Sequence, residues 1–185
     1  MSIIAPGDLD KLVFIDETGS NAAMAPSYGW APRSERAGGK RPKSRRGKNV
    51  SIIGALTLQG LTALMTIEGG VNGDAFLTYV RDVLVPTLKP GQVVVMDNVS
   101  THKVPGILDA IQAAGCTVWF LPPYSPQFNP IELCWNKFKY LLRRAAARTT
   151  DAINAAVGAI ADKITPADAH AWFNHCGYGA ETQLA

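Results

Sequence analysis

The chain has no apolar run approaching 18 residues, which excludes a helix long enough to span a membrane. Its first residues, Met1-Ser2-Ile3-Ile4-Ala5-Pro6-Gly7-Asp8, lack a basic patch ahead of a long apolar stretch, so no secretory signal is expected and a cytoplasmic location is. Cysteine is scarce: Cys116, Cys134 and Cys176 are odd in number, widely spaced and form no C-x-x-C pair. That argues against a disulfide framework and against a zinc site. His170 and His175 stand near Cys176, but a fourth ligand would have to come from far away. Three partly buried thiols and a polar C-terminal helix are the simpler expectation. Charged residues are only 18% against 47% hydrophobic, too apolar for a disordered chain. With 185 residues, one domain burying roughly 70% of its unfolded surface is expected, without staples.

Acid is nearly absent from two stretches. Arg33, Arg36, Lys40, Arg41, Lys43, Arg45, Arg46 and Lys48 face a single acid, Glu35. Lys137, Lys139, Arg143, Arg144 and Arg148 face none. One such run is ordinarily a solvated surface; two favour a polyanionic partner, nucleic acid.

Leu12-Val13-Phe14-Ile15 reads as a buried strand ending at Asp16. The Gly-, Pro- and Arg-rich segment 20–48 reads as a long functional loop. Val50 to Leu58 and Leu61 to Ile67 read as strands of a hairpin turning at Gln59-Gly60. A helix is expected from Asn72 or Gly73 to just before Pro90, with Phe76, Leu77, Val80 and Leu84 on one face. Val93 to Met96 is a continuous apolar run, the pattern of a strand buried on both faces, and ends at Asp97-Asn98. A helix from about Val104 to Gly115, a strand from Thr117 to Leu121, and a long helix opening at Asn129-Pro130 follow. Two more helices, about 151–163 and 166–175, complete the chain. This order predicts an α/β fold, a mixed five-stranded sheet flanked by helices on both faces, with the strands of Asp16 and Asp97 central and parallel.

Open α/β sheets place their sites at the carboxyl ends of strands. One Asp there is ordinarily a turn residue; Asp16 and Asp97, each after a hydrophobic strand, are candidate site residues. Glu132 is the third. It has a structural alternative, a capping box with Asn129 as N-cap and Glu132 three residues into the helix. At about 100° per residue, Glu132 shares a face with Asn136, Lys139 and Arg143, opposite Ile131, Trp135, Phe138, Leu142 and Ala145. The carboxylate therefore heads a polar, basic stripe directed away from the core. Three converging carboxylates repel one another unless cations intervene, and an all-oxygen donor set favours Mg2+ or Mn2+ over zinc. Two such ions about 3.5–4 Å apart support in-line phosphodiester chemistry. The residues alone thus describe a metal-dependent nuclease or strand transferase, with basic flanks to hold a phosphate backbone.

Three blocks carry a family resemblance. Phe14-Ile15-Asp16-Glu17-Thr18-Gly19 is the first, and Met96-Asp97-Asn98 followed by His102-Lys103 is the second. The third is Leu121-Pro122-Pro123-Tyr124-Ser125-Pro126-Gln127-Phe128-Asn129-Pro130-Ile131-Glu132 with Trp135 and Lys139. Together, with 34 residues between Asp97 and Glu132, they resemble the DDE catalytic domain of bacterial insertion-sequence transposases in the mariner superfamily. Tyr28 to Arg33 resembles that family's stretch after the first strand. The resemblance implies a ribonuclease-H-like fold over a core of about 12–148, with helices 149–176 completing a single catalytic domain over 1–185. It implies that Asp16, Asp97 and Glu132 hold two Mg2+ ions, which Mn2+ can replace. It implies water-driven cleavage at transposon ends, then attack of the 3′-hydroxyl on target DNA, typically at TA. Asn98 and His102 match a motif with an ancillary, positional role; an exposed His102 before a helix is the plain alternative. Trp135 is expected in the core.

The implied partners are double-stranded DNA and a second copy of the chain, with no membrane. Arg33, Arg36, Lys40, Arg41, Lys43, Arg45, Arg46, Lys48, Lys139 and Arg143 are the expected DNA contacts. The family's N-terminal helix-turn-helix is not expected to fit ahead of Leu12, so the chain is expected to be either the second reading frame of a split transposase, with an upstream frame supplying the helix-turn-helix, or a truncated remnant. The alternatives are a non-catalytic, DNA-binding remnant and a cellular ribonuclease-H-like nuclease. The three carboxylates speak against the first and the Pro-Pro-Tyr-Ser-Pro block against the second.

Overall fold

The computed structural model describes residues 6–21, 30–36, 49–147 and 149–179. Five strands, β1 (Leu12–Asn21), β2 (Asn49–Thr57), β3 (Gly60–Glu68), β4 (Val93–Met96) and β5 (Thr117–Phe120), form one sheet in the order β3-β2-β1-β4-β5. The first three pair antiparallel, whereas β4 and β5 run parallel to β1. The sheet is mixed, as the element order predicts, with β1 at its centre.

Helices cover both faces because the interior strands are apolar on both. Val13, Ile15, Ile53, Val94 and Met96 point to α1 (Gly73–Tyr79) and α2 (Ile107–Ala113), where they meet Phe76, Tyr79, Ile107 and Ile111. Leu12, Phe14, Ile52 and Val95 point to the other face, built by α3 (Pro130–Ala145), α4 (Thr150–Ala161) and α5 (Pro166–His175). Phe14 meets Phe173 of α5 edge-on, with ring centroids 5.1 Å apart. The C-terminal helices are therefore part of this core, and α5 is amphipathic rather than polar.

Several local boundaries differ from expectation. β1 does not end at Asp16; it continues to Asn21 because β2 pairs with it as far as Asn21↔Asn49. The hairpin turns at Leu58-Gln59, and Gly60, at φ +119°, already pairs with Thr57. The helix expected up to Pro90 is α-helical only to Tyr79. It widens into a π turn over Val80–Leu84 and tightens to a 3-10 turn over Val85–Thr87, where Pro86 has no N–H to give. α2 starts at Ile107, not Val104, because Gly106 at φ +94° breaks the helical path. Cys116, Cys134 and Cys176 are all fully buried rather than partly so. Ala145, placed on the apolar side of its helix by periodicity, is exposed.

No helix among the described residues is long and apolar enough to cross a membrane. Of the first basic stretch, Arg33 and Arg36 are exposed, while Lys40, Arg41, Lys43, Arg45, Arg46 and Lys48 lie outside the described residues.

Candidate active site

The register of the two parallel strands brings the aspartates together. Leu12 pairs with Val93 and Phe14 with Val95, so two more residues along put Asp16 level with Asp97, directly after β4. Glu132 arrives from the first turn of α3, whose buried face lies against β1 and β2. Pro130 occupies the start of that helix, where a missing N–H costs nothing. A carboxylate in the first turn also sits at the favourable end of the helix dipole.

The expected capping box does not form. Asn129 is the N-cap residue by position, but its side chain makes no cap hydrogen bond; the first turn is closed by the backbone Glu132 N–H donating to Asn129 O over 3.1 Å. Asn129 is drawn into the interior instead, 4% exposed, and its Oδ1 is buried without a partner among the described residues. Glu132 is exposed, so its carboxylate stays available to the site.

Asp16 is 8% exposed and accepts a hydrogen bond on Oδ2 from the indole N–H of Trp135 at 3.2 Å. Burial, then the charges of Glu132 and Glu17, push its carboxyl up to about 7, with a smaller contribution from Asp97. A backbone hydrogen bond from Glu17 pulls the other way. Asp16 thus sits within electrostatic reach of both other candidate carboxylates and of a fourth acid the sequence did not single out.

Asp97 is held from the opposite side. His102 donates from Nδ1 to Asp97 Oδ1 at 2.7 Å and from Nε2 to Glu17 Oε2 at 3.1 Å. The Val99 N–H reaches the same Asp97 Oδ1 at 3.4 Å. His102 is fully buried and stacks on Phe76 at 4.1 Å, which overturns the exposed alternative. Burial alone pulls its pKa down, but the hydrogen bonds and charges of Asp97 and Glu17 outweigh this and hold it up at about 9. At neutral pH it is an imidazolium donating from both nitrogens. The His102 hydrogen bond, against the opposing effect of burial, lowers the Asp97 pKa.

Asp97 and Glu132 line a cavity of about 450 Å³ with Asn98, Asn129 and the loop from Leu121 to Pro126. Tyr124 on that loop is wholly exposed, with a left-handed φ of 54°. Asn98 lies exposed at the cavity wall. Among the described residues no three Asp, Glu, His or Cys side chains form a ready-made metal cage. The carboxylates share one neighbourhood, with Asp16 turned to Trp135 and Asp97 to His102.

Lys139 and Arg143 follow Glu132 along α3 and are half-buried. Lys137, from the same basic run, is tied to Asp168, the carboxylate that closes the capping box of α5. Arg144 lies over the Tyr140 ring at 5.7 Å. Sequence reasoning missed Glu17 and the indole N–H of Trp135. Glu17 adjoins Asp16, and a second acid beside a candidate ligand was the one visible signal.

The fold is shared with solved transposases. A pre-cleavage Mos1 transpososome matches with a TM-score of 0.67 at 12% identity, over 92% of this chain and 55% of that one. A Mos1 transposase paired-end complex with the left transposon end gives 0.68 at 13%, over 91% and 52%. The catalytic domain of Mos1 mariner transposase gives 0.61 at 12%, over 91% and 80%. The fold is accordingly ribonuclease-H-like, and the chain spans about half the length of the fuller Mos1 chains. No curated protein matches by sequence. The model of the DDE superfamily endonucleases matches residues 11–154, the segment that carries all three carboxylates, and the chain belongs to that family.

Proposed function

We propose that this chain is the catalytic domain of a DNA transposase, cutting phosphodiesters at transposon ends and joining the 3′-hydroxyl to target DNA. The observation that supports the reading is that Asp16 on β1, Asp97 directly after β4 and Glu132 in the first turn of α3 lie near enough for Glu132 and Asp97 both to act on the Asp16 charge. Their donor atoms are all oxygen, and the Asp16 carboxyl, raised first by burial, is raised further by the charges of Glu132 and Asp97. That chemistry fits Mg2+ or Mn2+, and Mos1 paired end complexes are solved with each. Asp16, Asp97 and Glu132 would hold such ions, which would supply activation of a water or 3′-hydroxyl and stabilisation of the leaving oxygen.

In this reading Asp16, Asp97 and Glu132 hold the ions. The His102 imidazolium keeps the Asp97 carboxylate ionised and aimed, and Glu17 keeps His102 in place. The cavity between Asp97 and the 121–126 loop receives the scissile phosphate, with Asn98 at its wall. Arg33, Arg36, Lys139 and Arg143 contact flanking phosphates, joined by Lys40, Arg41, Lys43, Arg45, Arg46 and Lys48. The partners are duplex DNA and a second copy of the chain, in the cytoplasm. The span 1–185 acts as one catalytic domain.

The test incubates the purified chain with end-labelled duplexes and Mg2+, with EDTA as control, and resolves nicked and joined strands on denaturing gels. Metal-dependent nicking is expected; its absence with both Mg2+ and Mn2+ overturns the reading. Binding gives a second measurement. Affinity for any duplex falls with salt at a log–log slope of about −0.9 per phosphate neutralised. Lys139→Ala with Arg143→Ala is expected to flatten that slope by about 2 and to weaken all sequences alike. An unchanged slope removes both residues from the DNA interface.

A further inference from the structure

Trp135 sits one turn beyond Glu132 on α3, yet its indole N–H ends on the carboxylate of Asp16, 119 residues earlier in the chain. Both side chains are buried, at 2% and 8% exposure. The ring is confined on two sides. Phe138 meets it edge-on at 5.5 Å and 90°. Gly54 lies under it: a Cβ there would stand 3.0 Å from Trp135 Cη2 and 2.8 Å from Leu64 Cδ2. Gly54 is also the residue of β2 directly opposite Asp16 in the sheet. The missing side chain opens the path by which the indole crosses β2 and reaches the neighbouring strand.

We propose that Trp135 is a positioning residue that fixes the Asp16 carboxylate and sets the separation between Asp16 and Glu132. The helix that presents Glu132 is pinned, one turn later, to the side chain of Asp16. A hydrogen bond to a carboxylate is among the stronger ones and holds one oxygen in one direction. Groups that orient metal-binding carboxylates commonly control affinity by about 10–100-fold. Burying an indole needs only some acceptor for its N–H; here that acceptor is a candidate metal ligand, and the strand opposite it is thinned to a glycine. This inference rests on the reading of Asp16 and Glu132 as metal ligands.

Two variants test it. Trp135→Phe keeps an aromatic ring without the N–H. Trp135→3-benzothienylalanine, introduced at that one codon, keeps the indole shape and puts sulfur where Nε1 stands. Mn2+ binding to each purified protein is followed by the loss of the free-ion electron paramagnetic resonance signal, beside wild type and Asp97→Asn. Circular dichroism checks the fold. The expected result is a native spectrum with Mn2+ affinity lowered about tenfold or more, and nicking that recovers in part as Mn2+ is raised. If the benzothienyl protein binds Mn2+ as wild type does while Asp97→Asn does not, the positioning role is overturned and the metal site stands. If wild type itself binds no Mn2+, both are overturned.

Discussion

Asp97→Asn is expected to abolish DNA nicking, by at least about 10³-fold or 4 kcal/mol of transition-state stabilisation, without unfolding the protein. The variant keeps the size of the side chain, and an amide oxygen still accepts from His102 Nδ1 and the Val99 N–H. What it removes is the negative charge that Asp97 would bring to the proposed cation site. Glu132→Gln should behave alike, and more cleanly for stability, because Glu132 is exposed and its helix is closed by a backbone bond. Asp151→Asn, in the exposed first turn of α4, serves as the control and should nick at wild-type rate. Strand-resolved gels under single-turnover conditions measure all three. Wild-type nicking by Asp97→Asn in Mg2+ would falsify the assignment of catalysis to this cluster.

The second large effect is on stability and depends on pH. Asp16 has a carboxyl pushed up to about 7 in the folded metal-free chain, against 3.8 for the unfolded one. Between those values the folded state holds a proton that the unfolded state releases. Its contribution is fully present below pH 3.8 and is lost as pH rises through about 7. The loss is on the order of 4 kcal/mol by pH 8, because the ionised carboxylate is then buried beside Glu132 and Glu17. Asp16→Asn removes this titration and leaves an amide oxygen for the Trp135 N–H. The variant is therefore expected to melt several degrees above metal-free wild type at pH 8 and close to it near pH 4. His102 titrates in the opposite sense to an ordinary buried imidazole: its stabilising imidazolium is present below 6.5 and is lost as pH rises through about 9. That loss occurs in both proteins and cancels in the difference. Mg2+ should raise the wild-type melting temperature at pH 8 and leave Asp16→Asn nearly unmoved. Equal melting temperatures at both pH values, with and without Mg2+, would sink this account of the site.

The sequence by itself determined which residues could carry the chemistry and roughly where they stand. Asp16 and Asp97 follow runs of apolar residues, Pro130 starts a helix and Glu132 lies in its first turn. Each of these follows from hydrophobic pattern and helix-start chemistry within a few neighbouring residues. The mixed sheet with helices on both faces followed from the order of those patterns. The tertiary structure alone decided how the carboxylates are held. His102 joins Glu17 across 85 residues and Trp135 joins Asp16 across 119, and no local period encodes such pairs. The same long-range forces overrode local rules where the two competed. β2 carried β1 past Asp16 to Asn21, and the interior drew Asn129 out of its capping bond. An Asn beside a helix start has a capping bond available worth about 1 kcal/mol, and the burial of its neighbours Pro130 and Ile131, a competitor of about 1.5–3 kcal/mol for a side chain such as Ile, is supplied only by the folded chain.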